Sequence, residues 1–411
     1  MATLGVYVQV PFCESKCTFC NFSSQVARAT VFDGYCRALV HETRRLPEIY
    51  AAAGIDREVL GLPVDTLYVG GGTPTVLGAG QLREVFDAIG GTFRLEPRIE
   101  VTMEITPGSA DEGTLRNLRE LGVNRLSIGA QTFSDRELRS VGRLHTAAAT
   151  EEMVGAARRA GFTNISLDVI AGLPYQTENS WRQTLAVVGD LRPEHISLYI
   201  FEIDEKSRLG REVIRHGTRF HAGAVPEEDF AVAAYEQGRA HLCSEGYQQY
   251  EISNFALPGF ESRHNRKYWR LEPYVGLGAG AHSFDGQRRW ANEVSPLAYL
   301  EKTSRGESPI AELHRLTTDE QIEEFFFLGL RQAEGVKVSD ARRRWGPLVV
   351  ERWEPVVVAL VQRGLIERDD DQIRVAECAY LVSNEIFQEF LYAHKEVRRA
   401  KHLIRRVHFR K

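Results

Sequence analysis

A chain of 411 residues, 43% of them hydrophobic and 26% charged, has the composition of an ordinary globular protein, long enough for two or three domains with ample cores. Its net charge of −5 gives no sign of a general nucleic-acid binder. No run of about 18 apolar residues offers a membrane span, and Met1–Gly5 lacks the basic segment and long apolar run of a signal peptide, so a cytoplasmic protein is expected.

From Gly5 to about Glu202, short apolar runs alternate with amphipathic stretches. The pattern predicts strands at Gly5–Val10, Thr66–Val69, Arg98–Glu104, Arg125–Ile128, Ile165–Ile170 and Ile196–Phe201. Between them it predicts helices near Val31–Ala53, Ala79–Ile89, Asp111–Glu120, Thr150–Ala160 and Asn179–Asp190. Gly122 and Gly161 stand where helix C-termini favour glycine. Strand–helix repetition implies parallel strands with right-handed crossovers. Six units are too few for a closed eight-stranded barrel, so the expected fold class is α/β, a partial, open (β/α)6 barrel. Its active site belongs on the loops at the C-terminal ends of the strands.

Directly after the first strand, Cys13, Cys17 and Cys20 are spaced C-x3-C-x2-C. Three thiolates on a tight loop suit three corners of a [4Fe-4S] cube and leave the fourth iron open to a substrate or cofactor. A structural zinc site would want a fourth ligand at short spacing, and Cys36 falls sixteen residues on, in a helical pattern. A disulfide suits a small exported domain. Cys36, Cys243 and Cys378 are isolated and read as core thiols.

Glycine and polar residues recur at the later strand ends. Gly70-Gly71-Gly72-Thr73 follows the second strand. Glycines there let a ligand approach, and successive N–H groups can grip a carboxylate or phosphate; a simple tight turn accounts for the run equally well. The third strand ends at Glu104, the fourth leads to Gln131 with Arg143 beyond, and the fifth carries Asp168. Any one could be a buried group satisfied by backbone. Together, at the same end of four successive strands, they point to a ligand lying across the barrel mouth.

From about Phe220 the alternation stops. Glu228–Glu245 reads as one helix, and beyond it His264 and His282 flank an aromatic and glycine-rich segment. A histidine here suits a metal or haem iron, or a hydrogen-bonded core position. Thr317-Thr318-Asp319-Glu320 opens a helix with a capping-box pattern, followed by helices at Val338–Trp345 and Leu348–Arg363. Asp369-Asp370-Asp371 lies between two short strands, completing a winged-helix-like pattern. Its acidic hairpin tip opposes phosphate and favours a packing or partner-binding role. The last stretch, 392–411, carries eight Lys or Arg against one Glu. It reads as a solvated tail or a contact for acidic protein, nucleic acid or anionic lipid. The expected domains are 1–220 (barrel), 221–310 (α+β extension), 311–391 (helical, winged-helix-like) and 392–411 (basic tail).

With these residues in view, the chain resembles radical S-adenosylmethionine (SAM) proteins of the oxygen-independent coproporphyrinogen III oxidase-like family, and within it the haem-chaperone branch. The resemblance runs from Tyr7 to about Leu391. It rests on the lead Tyr7-Val8-Gln9-Val10-Pro11-Phe12-Cys13 and on His264-Asn265-Arg266-Lys267-Tyr268-Trp269, which matches an HNxxYW motif associated with haem binding. It implies a [4Fe-4S] cluster on Cys13, Cys17 and Cys20. It implies SAM contacts at Tyr7, Gly71, Gly72, Thr73, Glu104, Gln131, Arg143 and Asp168, and a haem contact at His264. It implies reductive cleavage of SAM to methionine and a 5′-deoxyadenosyl radical, an electron donor such as a flavodoxin-type reductant, and a haem-acceptor protein. The sequence departs from the oxidases in two places. Phe22 stands where they have a fourth cysteine, and six residues precede Tyr7 where they have a long extension. Both weigh against a true coproporphyrinogen III oxidase; the alternative is a radical SAM enzyme of porphyrin metabolism, either a coproporphyrinogen III oxidase-like decarboxylase or a haem-acting radical methyltransferase. Asn21 stands where the family usually has aspartate, and the basic tail runs past the family's usual end.

Overall fold

The computed structural model describes residues 2–27 and 29–391. Six parallel strands lie side by side in chain order: β1 (Leu4–Val10), β2 (Val64–Gly71), β3 (Leu95–Ile105), β4 (Arg125–Gln131), β5 (Ile165–Ala171) and β6 (His195–Ile200). The crossovers carry α1 (Ala29–Arg44), α2 (Ala79–Thr92), α3 (Glu112–Glu120), α4 (Ala147–Arg159) and α5 (Glu178–Leu191). This is the open (β/α)6 arrangement that the alternation implied.

The strands have two different faces. Outward, Val6, Val8, Val10, Leu67, Val69, Val101, Met103, Leu126 and Ile128 pack against Leu39, Leu82, Val85, Leu115, Leu118 and Val154 of the helices. Each such side chain contributes about 1.5–3 kcal/mol when fully buried. Inward the residues are polar: Thr66, Thr102, Ser127, Ser166 and Ser197, with Glu100, Arg125 and His195, all buried. The register sets them in layers, with Tyr7 opposite Tyr68, Thr102 opposite Arg125 and Ser166 opposite His195. The strict period of two is therefore a polar lumen against an apolar wall.

The sheet stays open and grows at both edges. After α6 (Glu228–Ser244), β7 (Gln248–Gln249) and β8 (Asn254–Ala256) pair antiparallel beyond β6. The short helix α7 (Arg263–Trp269) follows, and then β9 (Tyr274–Leu277) returns to pair in parallel with β1. Antiparallel β10 (His282–Phe284), β11 (Arg288–Asn292) and β12 (Ile310–Arg315) extend that edge. The segment beyond Phe220 thus adds six strands to the barrel's own sheet, which the loss of alternation did not reveal. Glu42 of α1 ties that edge down. It accepts hydrogen bonds from Gly278 N (2.9 Å), Asn292 Nδ2 (2.6 Å) and Tyr299 Oη (2.6 Å), and burial pushes its carboxyl up to about 7.

The C-terminal unit comprises α8 (Thr318–Gly329), β13 (Val336–Lys337), α9 (Val338–Trp345), α10 (Glu354–Gln362), β14 (Ile366–Asp369), β15 (Gln372–Val375) and α11 (Ser383–Leu391). Its three strands pair in the order β13-β15-β14. Thr317 and Glu320 form the expected capping box. Ile322, Phe326, Trp353, Leu360, Ile373 and Phe390 build a separate core. Arg289 on β11 grips Glu324 of α8 with two bonds (2.6 and 2.8 Å), joining this unit to the sheet.

Several local expectations differ from the structure. The helix expected over Val31–Ala53 breaks at Arg45, because Pro47 starts a second helix, Leu46–Ala53, and its ring cannot sit inside a continuous one. Cys243 and Cys378 are exposed, whereas Cys36 is buried as expected. Along α6 the buried stripe is Ala231, Ala234, Tyr235, Gly238 and Leu242, and Cys243 falls one position off it. The basic stretch 392–411 lies outside the described residues. Among the described residues no helix is long and apolar enough to cross a membrane.

Candidate active site at the barrel mouth

The cysteine loop leaves β1 at the C-terminal end of the barrel. Phe12–Cys13 pairs in parallel with Gln25–Val26, closing the loop on itself. Lys16 Nζ staples it from within, donating to the carbonyls of Phe22 (3.1 Å) and Ser24 (2.9 Å). Neighbouring loops hold it from outside. Thr18 N donates to Val141 O (3.0 Å), Leu209 N to Thr18 O (2.8 Å), Asn21 Nδ2 to Asp204 Oδ2 (2.7 Å), and the Arg208 guanidinium to Lys16 O. Cys13, Cys17 and Cys20 are all unpaired and half-buried, and burial pushes the Cys13 and Cys20 thiols up. Among the described residues no three His, Cys, Asp or Glu side chains converge as one metal ion would require. A four-iron cube, three of whose irons each take one thiolate, fits this loop better than a single zinc.

The glycine run works differently from the expectation of free amides. Gly71 N donates to Glu104 Oε2 (2.9 Å), Gly72 N to Val10 O (2.8 Å) and Thr73 N to Phe12 O (2.7 Å). All three amides are engaged within the chain. What the glycines provide is close approach. A Cβ on Gly72 would stand within 2.8 Å of both the Phe12 nitrogen and its carbonyl carbon, and Gly71 has φ 108°. The end of β2 can therefore lie against the start of the cysteine loop. Glu104 also accepts from Tyr68 Oη (2.8 Å), so its carboxylate is fixed at the end of β3.

Arg143 reaches over the mouth from the loop after β4. Its Nη1 lies 3.6 Å from Cys17 Sγ, another nitrogen donates to Gly129 O, and its buried Nε has no partner. Gln131, in a left-handed conformation (φ 67°), ends β4 beside it. Asp168 Oδ1 is likewise buried and unpartnered. Tyr7, Glu104 and Asp168 are inward-facing residues that keep part of their surface open, and Tyr7 Oη donates to Gln9 Oε1 (2.8 Å). A buried polar group left unpaired costs about 1–3 kcal/mol. The orphaned Arg143 Nε belongs to the side chain that reaches Cys17, and Asp168 Oδ1 is orphaned on the inward face of β5, so each has room for a polar ligand as partner.

His264 is not part of this cluster. It sits on α7 at the opposite, N-terminal end of the barrel, where Nδ1 pairs with Thr66 Oγ1 (2.8 Å) and Nε2 with Tyr268 Oη (2.9 Å). It is 1% exposed, and burial pulls its pKa down to about 3. Ser262 caps α7, and Glu100 accepts from the amides of Arg263 and His264 (3.1 Å each), a favourable place for a carboxylate. His282 faces solvent on β10. Sequence reasoning passed over Tyr68, Gln9 and Arg125, although the alternation of β1, β2 and β4 points them inward with the residues it chose. It also passed over Asp204 and Arg208, which stand in an irregular segment after β6 without a periodic signal.

The geometry has counterparts among known proteins. The model of the radical SAM superfamily matches residues 7–188, and that of the HemN C-terminal domain matches residues 316–382. Heme chaperone HemW of Bacillus subtilis (strain 168) is 34% identical across 94% of this chain and 99% of its own length. Heme chaperone HemW of Lactococcus lactis subsp. lactis is 32% identical across 94% and 97%. Radical S-adenosyl methionine domain-containing protein 1, mitochondrial, of Bos taurus is 32% identical across 81% and 74%. Among solved structures, coproporphyrinogen III oxidase (HemN) from Escherichia coli, described as a radical SAM enzyme, superposes with a TM-score of 0.81 at 25% identity over 95% of this chain and 90% of its own.

Proposed function

This chain belongs to the radical SAM superfamily and, within it, to the family of the HemW proteins, and from that premise we propose that it binds a [4Fe-4S] cluster, SAM and haem, and passes haem to an acceptor protein. The observation that carries the reading is the convergence of three unpaired thiols with Glu104, Gln131, Arg143 and Asp168 at one end of the barrel, two of these side chains holding orphaned polar atoms. Cys13, Cys17 and Cys20 hold the cluster. When bound, the cluster and SAM together supply a low-potential electron and a sulfonium for it to enter.

The chain's own residues bind and orient. Arg143, beside Cys17, offers a guanidinium to a carboxylate. Asp168 accepts from an amino or hydroxyl group, and Gln131 can donate or accept beside it. Glu104, fixed by Tyr68 and Gly71, presents a carboxylate in a set direction. Because burial holds the Cys13 and Cys20 thiols protonated, loading iron releases protons. The apolar wall and the plug of α7 exclude water from below. Phe22, where the oxidases carry a fourth cysteine, supports haem handling over coproporphyrinogen oxidation. A cytoplasmic setting, a reductant of flavodoxin type and an anionic contact through 392–411 belong to the same proposal, as does the division of the chain near 220 and 310.

Anaerobic reconstitution tests it. Iron and sulfide are counted, and SAM and haem binding are measured on one sample, alongside a Cys17→Ala chain. The expected result is a four-iron cluster that Cys17→Ala does not hold, SAM binding that needs the cluster, and haem that moves to an apo-haemoprotein. Conversion of coproporphyrinogen with no haem retained would replace the chaperone by the radical enzyme that the HemN likeness favours.

A further inference from the structure

Resting on the haem reading above, we propose that His221 would hold haem iron through its open ring nitrogen, on a rim at the barrel mouth formed with Tyr175, Phe220, Arg208 and Arg219. Four independent features converge there.

The first is position. Tyr175 follows β5 at its C-terminal end, and Tyr175 N donates to Ala224 O (2.8 Å), which joins the two loops. Phe220 packs on a small apolar cluster with Leu173 and Leu209 that also receives Phe19, the residue just before Cys20. The Arg208 guanidinium lies 5.3 Å from the Phe220 ring centre and holds Lys16 O of the cysteine loop. The rim therefore lies beside the cysteine loop.

The second is the state of the imidazole. His221 is exposed. Its Nδ1 pairs with Tyr175 Oη (3.1 Å), and the two rings meet edge to face at 5.4 Å. Among the described residues Nε2 has no hydrogen bond. One nitrogen oriented by a partner and the other left open is the arrangement of a metal-ligating histidine. His264 is the reverse, wholly buried with both nitrogens engaged.

The third is backbone strain. Phe220 (φ 55°, ψ 30°) and His221 (φ 61°, ψ 27°) are consecutive left-handed residues, and Tyr175 is left-handed as well (φ 66°). Glycine would hold this path without strain. Three bulky aromatic or heterocyclic residues in its place are the kind of local expense that a structure keeps for function.

The fourth is charge. The Arg208 and Arg219 guanidinium groups flank the Phe220 ring, at 5.3 and 5.2 Å, and Arg136 lies 4.1 Å over Tyr175. Haem presents a flat apolar face, an iron that takes nitrogen, and two propionates. The rim offers an open imidazole nitrogen and cations for the propionates.

Ferric haem titration of the full-length, anaerobically reconstituted chain tests this, following the Soret band and Kd for the wild type, His221→Gly and Tyr175→Phe. His221→Gly relieves the strain, so its apparent Tm should equal or exceed that of the wild type. Its Soret band should shift, its affinity should fall, and added imidazole should restore the spectrum. Tyr175→Phe should bind roughly tenfold more weakly, the scale for losing the outer partner of a ligating histidine. Wild-type affinity and spectrum in His221→Gly overturn the site while leaving the haem reading intact. A loss that imidazole does not restore, with a lowered Tm, also overturns it, as damage to the fold. A wild-type chain that binds no haem overturns the function and this site together.

Discussion

His264 offers the sharpest separation between a structural and a ligating role. In His264→Ala, Thr66 Oγ1 and Tyr268 Oη each lose the hydrogen bond they make to the ring, at about 0.5–1.5 kcal/mol each. The ring also leaves a cavity beside Tyr68 and Tyr268, whose rings stand 5.3 and 5.2 Å from it, and such a truncation costs about 3–5 kcal/mol. The two effects overlap, because part of the cavity term is the lost bonding, so a net loss of about 5 kcal/mol is expected. At about 2 °C per kcal/mol for a large unit, the apparent Tm falls by roughly 10 °C with no haem present. Thermal unfolding of the haem-free chain, followed by far-UV circular dichroism, measures it. pH gives a second reading. The folded pKa of about 3 lies below the ordinary 6.5, so the neutral ring contributes fully above pH 6.5. That contribution is lost as pH falls toward 3, an acid sensitivity that His264→Ala should lack. A His264→Ala chain that melts within about 2 °C of the wild type, less than 1 kcal/mol, refutes the plug.

Two further outcomes follow from the same geometry. Gly72→Ala places a methyl against the Phe12 backbone and forces apart the Gly72–Val10 and Thr73–Phe12 bonds, so the cysteine loop should shift. Iron retained after reconstitution should drop sharply and the chain should lose about 2–4 kcal/mol; full iron content with unchanged stability would contradict the close approach. Glu42 has a folded pKa raised from 4.5 to about 7, so its protonated form is favoured in the fold and stability is lost as pH rises through that window. In urea titrations, the stability of the wild type relative to Glu42→Gln should fall by about 3 kcal/mol between pH 4.5 and 7.5; a difference independent of pH would remove the buried acid from the account.

Much of this protein was legible in one dimension because its physics is local. The six parallel strands read from their apolar runs, since each outward residue meets a helix and each inward one meets the lumen. Cys13, Cys17 and Cys20 read from spacing alone, because one loop carries all three. The strand-end residues read from topology, since parallel strands present their C-terminal ends together. Pro47 could have split the first helix on paper.

Other features exist only through contacts distant in sequence. That β9 pairs with β1 depends on residues 274–277 meeting residues 5–8, which no periodicity encodes. The engagement of the glycine amides depends on Glu104, Val10 and Phe12 arriving from two other segments. His264 is the clearest case. Its motif reads as a ligand in sequence, yet Thr66 and Tyr268 take both ring nitrogens and burial holds it neutral. Conversely, nothing in the irregular segment after β6 distinguishes His221 until Tyr175, 46 residues earlier, comes across the mouth to orient it. Residue type and spacing determined which chemistry the chain can hold. Tertiary packing alone decided which side chains are left open to perform it, because an available nitrogen or amide is defined by which neighbours have already claimed the others.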